Sequence, residues 1–149
     1  MQANNYIIAR FGVSITFADS PINDSRLIGS FEPFRTSVPA DDKLFSLDVD
    51  DAVRPVPKDQ RHRIRRFDDT IVDKLEDGGY QYIIKDIEGA DCCLLITDKD
   101  FVNCRCALNG TPEMRRFGLN SALMLVLAFA GARRQTLLLH ASLVRCKGK

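Results

Sequence analysis

A chain of 149 residues suits one domain and can bury roughly 68–70% of the surface its unfolded form exposes, so its core needs no disulfide or metal staple. Hydrophobic residues at 45% and charged residues at 28% are the balance of a folded chain and exclude a disordered one. Twenty-one Lys and Arg against twenty Asp and Glu leave a net charge of +1, so no global field draws in nucleic acid or an anionic membrane, and a charged partner must be read by a local patch.

The opening residues, Met1-Gln2-Ala3-Asn4-Asn5, lack the basic start and apolar run of a secretory leader, and a cytoplasmic protein is expected. Residues 6–10 and 13–17 are short β-branched and aromatic runs separated by Phe11-Gly12, which reads as one bent strand or a tight strand pair. Residues 19–43 hold three of the six prolines and little alternation, so they form a loop region anchored by Leu27, Ile28, Phe31 and Phe34. In residues 43–49 the apolar positions Phe45, Leu47 and Val49 alternate with polar neighbours, as on a half-buried strand. Pro55 and Pro57 mark a second loop.

From Ile64 to Leu108 short strands alternate with hairpin signals. Asp77-Gly78-Gly79, Glu88-Gly89-Ala90 and Asp98-Lys99-Asp100 each precede an apolar run, and an antiparallel meander is the economical reading. Strand alternation puts Val102, Cys104, Cys106 and Leu108 on one face, opposite Asn103 and Arg105. Thr111-Pro112-Glu113 then supplies an N-cap, a proline at the first helical position and an acid in the first turn. The helix so begun runs to about Ala130, with Gly118 as a place for a kink and Gly131 before Arg133 and Arg134 as its stop. Residues 119–130 are apolar on nearly all sides yet too short for a bilayer, which takes about 20 residues, so the helix is expected to lie buried against the sheet; a partner face would explain the same composition. Residues 136–144 read as a buried final strand, and the chain stops in mid-turn at Gly148-Lys149. The expectation is the N-terminal portion of a longer protein.

Candidate chemistry is sparse. Gly148-Lys149 lacks the earlier glycine and the following hydroxyl of a phosphate loop. The five cysteines, Cys92, Cys93, Cys104, Cys106 and Cys146, are an odd number at no disulfide-framework spacing and fit reduced thiols. Cys92-Cys93 with Cys104 and Cys106 offers four thiolates for zinc, but adjacent strand residues face opposite ways and there is no C-x-x-C knuckle, so they read as small buried hydrophobes. The two histidines are His62 and His140. His62 lies in Arg61-His62-Arg63-Ile64-Arg65-Arg66, a solvated basic stretch beginning a strand, with a phosphate or acidic-peptide patch as the alternative. His140, in an apolar strand, reads by itself as a hydrogen-bonded core histidine. The paired acids Asp41-Asp42 and Asp68-Asp69 read as solvated loop residues.

The segment Leu137-Leu138-Leu139-His140-Ala141-Ser142-Leu143-Val144-Arg145-Cys146-Lys147-Gly148-Lys149 resembles the strand that leads into the Walker A loop of proteins related to the HPr serine kinase and phosphoenolpyruvate carboxykinase family. The preceding Phe117-Gly118-Leu119-Asn120-Ser121-Ala122-Leu123-Met124 and Ala128-Phe129-Ala130 resemble the helix before that strand in bacterial members. The resemblance covers residues 117–149. It implies a full-length kinase-like parent that binds ATP and Mg²⁺, whose phosphate and metal ligands all lie beyond Lys149. It also implies that His140 matches the histidine near the phosphate site, as a supporting element in a longer chain.

The expectation is therefore an α+β fold: an antiparallel β meander packed against one long buried helix near the C-terminus, ending in a strand. It forms a single domain spanning residues 1–149, in which residues 1–108 are β-rich, the helix lies at about 112–131 and the terminal strand at about 136–145. The expected function is that of a non-catalytic N-terminal accessory domain of a kinase-like protein, with no catalytic, cofactor or metal residue of its own. Its partner would be the C-terminal nucleotide-binding domain or a second copy, and neither nucleic acid nor membrane. The alternatives are a stand-alone binding or oligomerisation module and a small enzyme built on His62 or His140.

Overall fold

The computed structural model describes residues 2–137. The final strand expected at about 136–145 lies outside the described residues except for Thr136 and Leu137, which are irregular. His140, Cys146 and Gly148-Lys149 also lie outside them.

Among the described residues nine strands form one mixed sheet, and a single α-helix closes one of its faces. The strands are β1 (Gln2–Ile8), β2 (Phe11–Phe17), β3 (Arg35–Thr36), β4 (Lys43–Val49), β5 (Arg61–Arg66), β6 (Thr70–Leu75), β7 (Tyr80–Lys85), β8 (Asp91–Thr97) and β9 (Asn103–Leu108). They lie in the order β3-β1-β2-β4-β9-β8-β7-β6-β5. The helix, α1, spans Pro112–Arg133. Among the described residues no helix is long and apolar enough to cross a membrane.

The hairpin signals do produce an antiparallel meander, β5 to β9. The whole sheet is not antiparallel, however, because β4 runs parallel to both β2 and β9. The cause is long-range. After β2 the chain passes around β1 before returning as β4, and after β4 residues 50–60 carry it to the far edge of the sheet, from which the meander walks back. Neither detour carries a hairpin signature that a local pattern can display.

The first two strands are a tight pair, and its turn lies at Ala9-Arg10 with Phe11-Gly12 already inside β2. Ala9 and Arg10 have φ of 48° and 72°, the left-handed pair that a two-residue hairpin loop requires. Within the expected loop, Ser25–Phe34 coils into a 3₁₀ run, started by Asp24 accepting from the Arg26 N–H at 2.9 Å. Leu27, Ile28 and Phe31 anchor it in the core, while Phe34 stays exposed.

Helix α1 starts as the capping residues dictate, with Thr111 Oγ1 accepting from the Met114 N–H at 3.3 Å. It runs through Gly118 without a break and ends after Arg133, where Gln135 takes a left-handed φ of 56°. Gly118 is instead the point of closest approach to β8: a Cβ there would sit 2.8 Å from the Cys92 carbonyl oxygen. Leu119, Ala122, Leu123, Val126 and Ala130 are buried against the sheet, among Tyr82, Leu95, Cys104, Cys106 and Leu108. Among the described residues the helix is buried on one side only: no further layer covers its outer face, where Phe117 and Met124 are 41% and 46% exposed.

The opposite face of the sheet mixes polar and apolar side chains and is traceable by register. One row runs Arg63, Asp73, Gln81, Ile96, Arg105, Asp48, Thr16, Ala3 across eight strands. Residues 50–60 cover its β6–β7 end, where the Val56 N–H donates to Gln81 Oε1 at 2.7 Å and Arg61 Nε donates to the Val56 carbonyl at 2.7 Å. Residues 37–42 form a strap over the β1–β2 end, where Pro39 and Ala40 lie over Ala3, Asn5 and Ser14.

Candidate functional site

His62 is the second residue of β5, at the edge of the sheet, exposed and opposite Lys74. Asp42 is held by Arg134 at 2.6 Å, and Asp68-Asp69 lie exposed in the β5–β6 turn. The structure therefore does not bring the paired acids to either the histidine or the thiols.

Four cysteines are free and buried. Cys93 and Cys106 lie on the helix-facing side of adjacent strands, and the shared hydrogen bond between their thiols, with burial, raises the pKa of Cys93 well above the ordinary thiol value. Burial likewise raises that of Cys104, and pushes Cys92 up to about 11 with help from Asp86. Such thiols stay protonated and behave as small hydrophobes. Cys92 points away from Cys93, with its thiol 3.4 Å from the Ile84 carbonyl oxygen. Among the described residues no group of three His, Cys, Asp or Glu side chains is placed to hold a metal.

One buried and one half-buried polar cluster escape a reading by sequence pattern. Asp73, whose side chain is 1% exposed, accepts from Arg63 Nε at 2.7 Å and also from Arg61 and Gln81. At the end of β4, Asp51 accepts from the Leu108 N–H at 2.9 Å and from Arg115 Nη1 at 2.8 Å. Arg115 donates also to Asn23 Oδ1 at 2.7 Å and to the Gly110 carbonyl at 3.1 Å. It thereby ties the first turn of α1 to β4 and to the loop after β2. A signal existed for Asp73, an acid in the apolar run Ile71-Val72, but its arginine partners lie on a different strand.

Several surface features have room for a ligand or partner, and two of them bear on the sheet face and on α1. Under the strap, a cavity of about 370 Å³ is lined by Asn5, Ser14, Lys43 and Ser46, with Asn5, Ser14 and Ser46 level on three adjacent strands. Along α1, an open groove of about 620 Å³ is lined by Glu113, Arg116, Phe117, Asn120, Ser121 and Met124. Asn120 Nδ2 donates to the Leu27 carbonyl at 3.2 Å and to the Arg116 carbonyl at 2.8 Å, which fastens the helix to the 3₁₀ run beside that groove. The outward positions Phe117, Ser121, Met124 and Ala128 recur at the spacing of one helix face.

Comparison with protein-family models, with curated proteins and with solved structures finds no match.

Proposed function

We propose that this chain is a non-catalytic accessory domain of a kinase-like protein related to the HPr serine kinase and phosphoenolpyruvate carboxykinase family, and that it packs against the nucleotide-binding unit through the outer face of α1. The observation that carries this reading is the stripe Phe117, Ser121, Met124, Ala128, which leaves two large apolar side chains nearly half exposed on a helix whose inner face is fixed in the core. The resemblance to that family spans residues 117–149 and therefore includes the stripe. The inner face is pinned at Gly118, at Asn120 and through Arg115, so the outer face is held rigid and loses little ordering entropy on docking. ATP and Mg²⁺ belong to the nucleotide-binding unit, where His140 is a supporting element. The free, buried thiols suit a reducing cytoplasm.

Calorimetry with ATP and Mg²⁺, run on residues 1–149 and on the complete product of the gene, tests this reading. Binding by the complete product alone, with α1 amides around Met124 gaining hydrogen-exchange protection in it, supports the proposal. ATP hydrolysis by residues 1–149 overturns it. The second reading places another copy of this chain on the same stripe, and the same apolar side chains favour it. A dimer in light scattering that Met124→Ser converts to monomer selects that reading instead.

A further inference from the structure

Among the described residues strand β5 is one edge of the sheet, and its side chains read Arg61, His62, Arg63, Ile64, Arg65, Arg66. An edge strand leaves a row of backbone N–H and C=O groups open to another strand. A register shift at Ile64 distributes the cations over both faces: Arg61, Arg63 and Arg66 lie opposite Leu75, Asp73 and Ile71, while His62 and Arg65 lie opposite Lys74 and Val72. Asp73 neutralises some of the charge on Arg61 and Arg63. Lys74 is turned inward, with its ammonium 3.0 Å from the Tyr80 hydroxyl and 4.2 Å from that ring's centre. Among the described residues Arg65 and Arg66 have no carboxylate at ion-pair distance, and both are exposed. Ile64 and Phe67 are exposed beside them at 47% and 55%, with the Arg65 guanidinium 5.9 Å from the Phe67 ring centre.

Charge decides what such an edge accepts. A second copy paired edge to edge would set arginines against arginines, and like charges across a strand pair are destabilising. Hence β5 rejects itself and selects a strand of the opposite sign. Acids flank the strand, with Asp59 before it and Asp68 and Asp69 after it, and cut the cationic run short at both ends. Six residues at the usual rise make it about 20 Å long. That is the footprint of one extended segment, whereas a nucleic-acid backbone needs a broader basic face.

We propose that the open edge of β5 takes an extended Glu- and Asp-rich segment of a partner protein as a tenth strand, with its carboxylates against Arg65 and Arg66 and its backbone on the free β5 groups. This surface is independent of the α1 stripe. Backbone pairing supplies register-bound affinity, and the arginines supply the choice of partner.

The test uses fluorescein-labelled dodecapeptides and anisotropy with the intact chain. The probes are a peptide repeating Glu-Glu-Val-Thr, whose adjacent acids face both sides of the strand, its Lys-Lys-Val-Thr counterpart, a version of the acidic peptide with alternate residues replaced by proline, and a version with phosphoserine at two Glu positions. A single-stranded oligonucleotide of the same length is the fifth probe. The acidic peptide should bind saturably and the lysine and proline peptides should not. The double variant Arg65→Glu, Arg66→Glu should weaken binding about tenfold or more while leaving the circular dichroism spectrum unchanged. Amides of β5 should gain exchange protection in the complex. Equal binding of the proline peptide, tighter binding of the phosphoserine peptide or of the oligonucleotide, absence of binding by the acidic peptide, or insensitivity to the double variant each overturns the proposal.

Discussion

Arg63 Nε lies 2.7 Å from the Asp73 carboxylate, and that carboxylate is almost wholly out of reach of water. Burial opposes its charge, but the hydrogen bonds and charges of Arg63 and Arg61 outweigh burial and hold the carboxyl below the usual carboxylate range. A carboxyl whose pKa is depressed on folding adds stability above its unfolded pKa of about 3.9, and that stability is lost as pH falls through the lower folded value. Asp73→Asn should therefore cost roughly 2–3 kcal/mol at neutral pH, the low side for a broken buried pair because Arg63 can turn to water. Urea unfolding should show the gap between the two proteins narrowing below about pH 4.

Gly118→Ala sets two effects of opposite sign against each other. Alanine favours a helix interior by about 1 kcal/mol over glycine. Its methyl would meet the Cys92 carbonyl oxygen at 2.8 Å and the Cys93 Cβ at 3.0 Å, and backbone on a central strand cannot yield as a flexible side chain would. The overpacking cost of about 1–3 kcal/mol should win. A melting temperature lowered by a few degrees is expected in calorimetry, and a raised one would show that α1 can lift off β8.

The two faces of α1 should respond differently. Leu123→Ala removes a side chain with 0% exposure and should cost about 2–5 kcal/mol in denaturant unfolding. Met124→Ser, on the next residue but facing outward, should change stability by no more than about 0.5 kcal/mol. Near-equal losses would mean that the outer face is covered within the chain itself.

Cys92, Cys93, Cys104 and Cys106 should resist alkylation by iodoacetamide at mildly alkaline pH, because burial keeps them protonated and out of contact with the reagent. Peptide mapping by mass spectrometry should show all four labelled together, at the rate of global opening. Fast labelling of one of them alone would mark a local opening of β8 or β9.

The antiparallel half of the sheet was legible in the chain because its information is local. Gly78 and Gly89 take φ of 90° and 83° in the turns that their sequences announce, and the alternation at Cys104, Cys106 and Leu108 points those side chains into the core as expected. Val102 stands outside that pattern, exposed just before β9 begins. Thr111-Pro112 marked the start of α1 to the residue. The parallel pairs β2–β4 and β4–β9 were not legible, since a parallel neighbour is fixed by where distant chain returns and not by the turn between them. The same holds for Arg115, which sits 92 and 64 positions from its partners Asn23 and Asp51 in the chain, all three being ordinary surface residue types. The turn at Ala9-Arg10 hid for a different reason: neither residue is a type that favours a left-handed φ. The α1 face was half legible, because an apolar run reads as buried all round until the number of layers is known.

The path of residues 18–43 has a kinetic consequence. It leaves β2, crosses one face of β1 as the 3₁₀ run, pairs along the outer edge of β1 as β3, and recrosses under the other face as the strap before it becomes β4. Tyr6 is gripped on the way, with Phe31 edge-on at 5.9 Å and the Arg35 guanidinium 5.3 Å from its ring centre. The first strand thus lies inside a ring of later chain that can close only after β1 has paired with β2. The β1–β2 hairpin, closed by a two-residue turn, needs no part of the ring in order to form, whereas the ring cannot close without it. A force applied at the N-terminus would have to break β3 and lift the strap before β1 could slide free, so the amino end should be the mechanically strong one.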